Sequence, residues 1–415
     1  MKTKFFAVLA LGLAGVMFSP AQDQEAQKLV VHEWGTFTCV AGSDGIDLEW
    51  RPLLSKDLPD FVYGPESLAS GAGLRSGLVC GVCGGNGCRC GEYGQEIRKG
   101  VDARMRMETP VLYFYTDREM DVSVRVGFPK GMITEWYPRA RSVTARERAN
   151  GVIDWGRFKV LPDRGEARAL PGRRNGAEQD HYFYARETDA AYVRVCGGRG
   201  EPEFEKYLFY RGVGNFALSL RGQAESDRAL SISNQGPDEV RHLFAVCVRD
   251  GKLRYEAIDS VAAGATRRSE PAVEGSREQV MAALEKALVA SGLFEKEARA
   301  MVNTWKDTYF EEGLRVLYVL PRRETDQLLP IEISPAPVKL ERVLVGRLEL
   351  ISAEAERGME KLVEKLASEA WEERDAAQAG LKKLGRFAEP FLRRTLQVAR
   401  DAEVRERIEQ LLRGR

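Results

Sequence analysis

Leu243-Phe244-Ala245-Val246-Cys247-Val248-Arg249-Asp250-Gly251-Lys252-Leu253-Arg254-Tyr255-Glu256-Ala257-Ile258 reads as two strands and the turn between them. Leu243 to Val248 and Leu253 to Ile258 have strand length, and Arg249-Asp250-Gly251 is hairpin chemistry. The same signature recurs upstream. Val122, Val124, Val126 and Phe128 alternate with polar residues, the period of a half-buried strand. Val111 to Tyr115, Ile133 to Tyr137, Val152 to Val160, Tyr182 to Tyr184, Tyr192 to Cys196, Tyr207 to Tyr210, Phe216 to Leu220 and Leu230 to Ser233 are further short strands. So many short strands separated by turn residues predict a β-sandwich-like domain over residues 29–265. Arg164 to Gln179 within it is a polar Gly/Arg/Pro loop.

The series opens with Leu29 to Val40, which contains His32-Glu33-Trp34-Gly35-Thr36-Phe37-Thr38. β-Branched and aromatic residues dominate this run. Ser43-Asp44-Gly45 predicts a turn, with Ile46, Leu48 and Trp50 alternating on a returning strand. In a regular strand His32 shares a face with Trp34 and Thr36, while Glu33 shares the other with Gly35 and Phe37. His32 and Glu33 therefore do not line one pocket without a bulge, and a structural His32, hydrogen-bonded inside the sandwich, is the favoured reading.

Beyond residue 265 the pattern becomes α+β. Ser276 is placed to cap a helix running to Ala290, and Glu295 to Trp305 is a second helix. Leu314 to Leu320, Ile331 to Ile333 and Val343 to Ile351 are strands, and Pro321 opens a short turn or helix. This 266–352 extension completes the β domain or packs on it. From Ala353 to Arg415 the period is helical, with Trp371 to Leu384, a helix opened by Pro390 and a last one capped by Asp401. A repeat shows at an offset of 31 residues: Arg374 matches Arg405, Ala377 matches Ile408 and Leu381 matches Leu412. The 353–415 segment resembles HEAT-type repeats, and the resemblance implies stacked helix pairs that offer a surface to a protein partner. A plain helical cap is the alternative. The fold class is thus mainly β with α.

The N-terminus addresses the chain. Lys2 and Lys4 precede an apolar run from Phe5 to Phe18, and Ser19-Pro20-Ala21 is a small-x-small cleavage site. Residues 1–21 are read as a signal peptide, giving an exported protein, periplasmic or extracellular, with no transmembrane segment after cleavage. Lys+Arg and Asp+Glu both total 62, a balance that argues against nucleic acid as a partner.

Four of the seven cysteines, Cys80, Cys83, Cys88 and Cys90, fall in one glycine-rich loop, 64–100. Glycine permits the tight turns that let thiolates at C-x-x-C and C-x-C spacing converge. Cys80 to Gly87 resembles one repeat of the zinc module of J-type co-chaperones. Those modules use paired repeats, whereas Cys88-Arg89-Cys90 follows here, so chaperone function is not carried over. Three readings stay open. A closed four-thiolate Zn site would be a structural staple. Two disulfides would suit an oxidising compartment, with pairs crossing between the two halves. A redox or copper site would draw on nearby Met105 and Met107. Cys39, Cys196 and Cys247 lie in predicted strands as buried free thiols, with a Cys39 bridge as the alternative.

With only His32, His181 and His242, a histidine metal site has at most three such ligands. Glu108 precedes an apolar strand and Glu135 lies inside one, where a carboxylate is costly unless paired or ligating. Glu187 follows His181 closely, in a turn with surface ion pairs around Arg186; Glu205-Lys206 and Arg211 read similarly. A catalytic site, if built, draws on His32, Glu108, Glu135, His181 and Glu187, and two histidines with a carboxylate would suit Zn, Fe or Cu. The sequence contains no H-E-x-x-H, G-x-S-x-G, P-loop or dinucleotide fingerprint.

His32-Glu33-Trp34-Gly35-Thr36-Phe37-Thr38, Met107-Glu108-Thr109-Pro110 and Ile133-Thr134-Glu135-Trp136-Tyr137-Pro138 resemble the signature of a family of secreted bacterial proteins, over about 29–350. The resemblance implies export and transfers no catalytic residue. The leading expectation is an exported binding or scaffold protein. An exported metalloenzyme, hydrolytic or oxidative, is the alternative. A small-molecule or carbohydrate surface using Trp136, Tyr137 and Trp155 is a third, with core packing the favoured role of these three residues.

Overall fold

The computed structural model describes residues 28–50, 58–64, 101–144, 149–165, 168–172, 181–196 and 201–413. The segment 1–21 read as a signal peptide and the cysteine run Cys80–Cys90 lie outside the described residues. The strands are β1 (Val30–Ala41), β2 (Met105–Tyr115), β3 (Met120–Phe128), β4 (Gly131–Tyr137), β5 (Ser142–Thr144), β6 (Gly151–Leu161), β7 (Tyr192–Val195), β8 (Glu203–Glu205), β9 (Leu208–Gly214) and β10 (Leu220–Ala224). They continue as β11 (Leu230–Asn234), β12 (Val240–Arg249), β13 (Lys252–Val261), β14 (Thr266–Ser269), β15 (Val273–Glu274), β16 (Gly313–Val319), β17 (Ile331–Ser334) and β18 (Lys339–Leu350). The helices are α1 (Arg277–Ala290), α2 (Glu295–Trp305), α3 (Arg322–Leu328), α4 (Ala353–Lys365), α5 (Trp371–Lys383), α6 (Ala388–Val398) and α7 (Ala402–Arg413). Among the described residues there are also two 3-10 helices, His181–Arg186 and Gly385–Phe387.

Nine strands form one sheet in the order β15-β13-β12-β16-β18-β1-β2-β9-β4. A second sheet runs β17-β3-β6-β7-β8, with β5 on β6, and a third runs β10-β11-β14. The chain is mainly β, with several antiparallel sheets and a C-terminal group of α-helices. One pair departs from antiparallel order: β1 lies parallel to β18, Val30 beside Lys339 and Ala41 beside Leu350. The 266–352 stretch supplies β16 and β18 to the middle of the same sheet that holds β1.

Strand alternation sorts β1 onto two cores. Val31, Phe37 and Cys39 join Val122, Val124 and Val126 of β3 and Leu230 and Ile232 of β11, so the two smaller sheets cover one face. Trp34 joins Val280 and Leu284 of α1 and Met301 and Trp305 of α2, so helices cover the other. A strand covered on both faces is expected to be an unbroken apolar run. β1 instead carries His32, Glu33, Thr36 and Thr38 inward, all fully buried.

Local chemistry explains the turns and bulges. β12 and β13 meet through Asp250 (φ 51°) and Gly251 (φ 74°), a two-residue hairpin turn with positive φ at both positions. Ser276 caps α1 and its partner Gln279 closes a reciprocal capping box. β2 bulges at Thr109-Pro110, where the register jumps between Trp34–Val111 and Thr36–Glu108 and Thr109 takes φ 47°. Gly35 faces that bulge: a Cβ there would sit 2.9 Å from Pro110 Cα. The family-like motifs around Gly35 and Pro110 are therefore two halves of one backbone contact.

Three predicted strands are corrected. Tyr182–Tyr184 lies in the 3-10 helix, where Tyr182 and Phe183 turn inward together rather than alternating. Phe216–Leu220 is mostly loop, with a strand beginning only at Leu220. The Ile46–Trp50 return makes isolated bridges, Asp47 to Ala41 and Trp50 to Ala103, and no strand. Cys39, Cys196 and Cys247 are free thiols, which removes the Cys39 bridge; Cys39 and Cys247 are buried, but Cys196 is exposed.

Glu33 meets Arg342 at 2.5 Å with both side chains fully buried, and Tyr210 donates to the same carboxylate. Arg342→Met would leave that carboxylate charged without its cation. Denaturant unfolding is expected to show a loss of about 3–5 kcal/mol, with much of it recovered in the Glu33→Gln/Arg342→Met pair.

Candidate functional site

His32 is tied to the start of α2. Its Nδ1 lies 2.8 Å from Glu297 Oε2, Tyr115 donates to Glu297 Oε1 at 2.7 Å, and the Phe294 N–H donates to Oε2 at 2.8 Å. Glu297 thus closes the first turn of its helix and accepts from two side chains of the sheet. Phe294 also packs on the His32 ring, centroids 4.4 Å apart. This is the chemistry of an anchor between helix and sheet.

His181 lies at the other end of that helix, stacked on Trp305. Glu297 and Trp305 are eight positions apart, about 12 Å of helix rise. His32 and His181 are therefore held at opposite ends of α2 and do not share a metal ion. Glu187 is exposed beyond the 3-10 helix. His242 occupies a bulge of β12 at φ 55°. Among the described residues no three His, Cys, Asp or Glu side chains gather to hold a metal.

Glu108 and Glu135 lie along a polar belt. Thr38 Oγ1 donates to Glu108 Oε2 at 3.1 Å, and Arg106 lies 3.5 Å from the same carboxylate. Glu135 stands opposite Arg211 in the β4–β9 register and accepts from Thr134. On the far side of β1, Arg315 donates to Glu349 at 3.0 Å and to the Tyr309 carbonyl at 2.8 Å, and Arg347 donates to the Thr308 carbonyl at 2.5 Å. Thr36 bonds the Tyr309 hydroxyl at 3.1 Å. The belt pairs buried charges across the sheet and clamps the 308–312 turn onto it.

Another buried pair replaces the surface turn expected near Arg186. Arg186 donates to Glu205 at 2.7 Å, Tyr182 donates to Glu205 at 3.0 Å, and Glu205 is fully buried. The guanidinium also lies 4.8 Å from the Phe183 ring centroid. Glu205-Lys206, 19 residues downstream of Arg186, carried no spacing that could announce this pair. Trp136, Tyr137 and Trp155 are 3%, 5% and 2% exposed, so they pack in the core, the role favoured for them over a carbohydrate surface.

The C-terminal helices form two pairs. α4 packs on α5 and α6 on α7, while α5 meets α7 and α4 meets α6. The 31-residue repeat has a physical meaning here. Arg374 donates to the carbonyls of Ser368 and Glu369, and Arg405 to those of Leu396 and Ala399. In each pair the second helix carries an arginine that covers carbonyls just beyond or at the end of the first. Joints to the β body run through α4 and the 385–387 turn: Ser43 donates to Glu356 at 2.6 Å, Ser352 donates to Asp227, and Phe387 lies against Gly313. α5 and α7 line a polar groove of their own, held by Arg407 bonds to Asp375 and Gln378. Trp371, the first residue of α5, is 60% exposed.

Between α4 and the sheet end lies a cleft of about 320 Å³. Its walls include Val248, Leu314, Ile351, Met359, Leu362 and Phe387. Gly358 of α4 lines it, and a Cβ there would meet nothing within 4 Å. Glycine inside a helix costs roughly 0.5–1 kcal/mol relative to alanine, and no close backbone approach requires one at this position.

No protein-family model matches this chain, and no curated protein matches it. Among solved structures it is similar to the Fcho1 Mu homology domain of Danio rerio with bound Eps15 peptide, at 7% identity and a TM-score of 0.32, over 79% of this chain and 98% of that one. A calcium-binding mutant of β-glucuronidase 2 from Bacteroides uniformis aligns at 12% identity and a TM-score of 0.16, over 72% of this chain and 40% of that one. A β-glucuronidase of glycoside hydrolase family 2 aligns at 8% identity and a TM-score of 0.10, over 58% of this chain and 24% of that one.

Burial, followed by neighbouring carboxylates, raises the phenols of Tyr113, Tyr182, Tyr207 and Tyr210 well above their ordinary range. Burial and the hydrogen bond to Glu203 push Tyr63 up to about 12. An unfolded chain ionises its tyrosines at about pH 10. The stability that these neutral phenols contribute is therefore whole below that pH and is lost as pH rises through the higher folded values. In an alkaline titration, phenolate absorbance of this set is expected to rise together with loss of the far-ultraviolet circular dichroism. Ionisation of all five with the fold intact would contradict the assignment.

Proposed function

We propose that this chain is an exported binding or scaffold protein that carries a protein-interaction module at 353–415. The observation that carries the reading is the arrangement of the two helix pairs. One layer, α4 with the 385–387 turn, is joined to the β body through Ser43–Glu356 and Phe387–Gly313. The other, α5 with α7, carries the exposed Trp371 one helical turn before Asp375, which lines a groove with Lys382, Glu403 and Arg407. A large exposed aromatic with a charged rim is the usual make-up of a protein-binding hot spot. The 31-residue repeat, with its matched arginines, supports a HEAT-like reading of the pairs. The two smaller sheets sharing one core with the nine-stranded sheet support a sandwich-like reading of the body.

A photo-crosslinking residue at position 371 of the protein secreted by its native host is expected to give one discrete adduct. The same residue at Leu381, a buried position of α5, is expected to give none. Trp371→Ala should weaken capture of the adduct's partner by about 2 kcal/mol or more, read as affinity for the purified partner. Equal labelling from both positions, or full affinity of Trp371→Ala, would remove α5 as the docking element.

The N-terminal charge and apolar pattern supports export to the periplasm or beyond. For the cysteine loop we propose a staple, by Zn on Cys80, Cys83, Cys88 and Cys90 or by two disulfides, since a segment without hydrophobic period needs a covalent or metallic tie. Metal analysis and thiol counting on protein made with export intact separate the two. One Zn per chain, lost in Cys80→Ser/Cys83→Ser, identifies the metal staple. No metal and four protected thiols identify the disulfides. Four free thiols without metal refute both.

A further inference from the structure

We propose that the cleft between α4 and the sheet end binds a small hydrophobic cation, a primary amine on an aliphatic or aromatic body. The partner reading places its surface on α5 and α7; this inference concerns a different face and stands without it.

Size and lining come first. A cleft of about 320 Å³ is within the range of small-molecule pockets, and its walls are mostly aliphatic with Phe387 at one end. Gly358 is the second observation. It sits on the helix face that carries Ala355 and Leu362 into the lining, where a side chain would occupy the open space. Glycine therefore keeps a wall of the cleft back at a position where alanine would suit the helix better.

Charge selects the head group. Among the described lining residues Asp227, Asp250, Glu312 and Glu354 stand with one cation, Arg249, while the Arg315 guanidinium lies behind the Phe387 ring and is paired with Glu349. Arg249 is already paired with Asp227, which also accepts from Ser352. Glu312 accepts the Asp250 N–H at 2.5 Å and Glu354 meets Arg357 at 3.3 Å, an exposed pair that holds its partners weakly. The carboxylates left around the mouth favour an ammonium and oppose a carboxylate or phosphate head.

The test compares three probes of equal chain length, hexylamine, hexanol and hexanoate, by calorimetric titration of the full mature protein at neutral pH. Hexylamine is expected to bind saturably, hexanol more weakly, and hexanoate at least about tenfold more weakly than the amine. Gly358→Leu, which fills the cleft, should weaken hexylamine by about tenfold or more; Ala355→Leu serves where that variant fails to fold. Glu312→Gln/Glu354→Gln should bring hexylamine down to hexanol and leave hexanol unchanged. Equal binding of hexanoate and hexylamine, full affinity in the filled variants, or no saturable binding of any probe overturns the proposal.

Discussion

The structure depends on satisfying the polar groups of β1 inside a sheet that is covered on both faces. His32, Glu33, Thr36 and Thr38 are all fully buried, and each has a partner. An unpaired buried carboxylate or imidazole would cost several kcal/mol, comparable with the net stability of a domain. The partners are Glu297, Arg342, Tyr309 and Glu108, three of them more than two hundred residues away. One strand thereby fixes the positions of α2, the 308–312 turn, β18 and β2. The helices on one face and the smaller sheets on the other are arranged around these requirements as much as around apolar contact.

Much of this was readable along the chain where the signal is local. The Asp250-Gly251 hairpin, the alternation of β3 and the Ser276 cap each rest on neighbouring residues, and each is found where its chemistry placed it. The opposite orientation of His32 and Glu33 followed from strand geometry alone. What escaped was set at long range. The parallel register of β1 and β18 has no local marker. Tyr182 to Tyr184 had strand composition, but Glu205 and Arg186 draw that segment into a 3-10 turn against α2. Trp136 and Trp155 gave no sign from composition of which side of a sheet would be covered.

The candidate site was legible only in its parts. Glu108 and Glu135 were singled out because a carboxylate in an apolar strand needs a partner, and both lie in the polar belt. That they belong with Arg106 and Arg211, and not with the histidines, depended on the bulges that reset strand parity at Thr109 and Thr134. The α4 cleft had no sequence motif at all. Its one hint was Gly358 in an otherwise good helix, a residue whose meaning comes from the empty space beside it.

The parallel pairing of β1 with β18 also sets a schedule. Among the described strands β1 comes first in the chain; it is flanked on one side by β2, but its other edge stays open until residues 339–350 have been made. Until then Glu33 lacks Arg342 and His32 lacks Glu297, so the early chain has no favourable way to bury its own leading strand. Contacts this distant in sequence close late because the intervening loop must first be gathered in. β18 is the last strand of the nine-stranded sheet to be made, and it lies in the interior between β16 and β1, so its arrival closes the sheet.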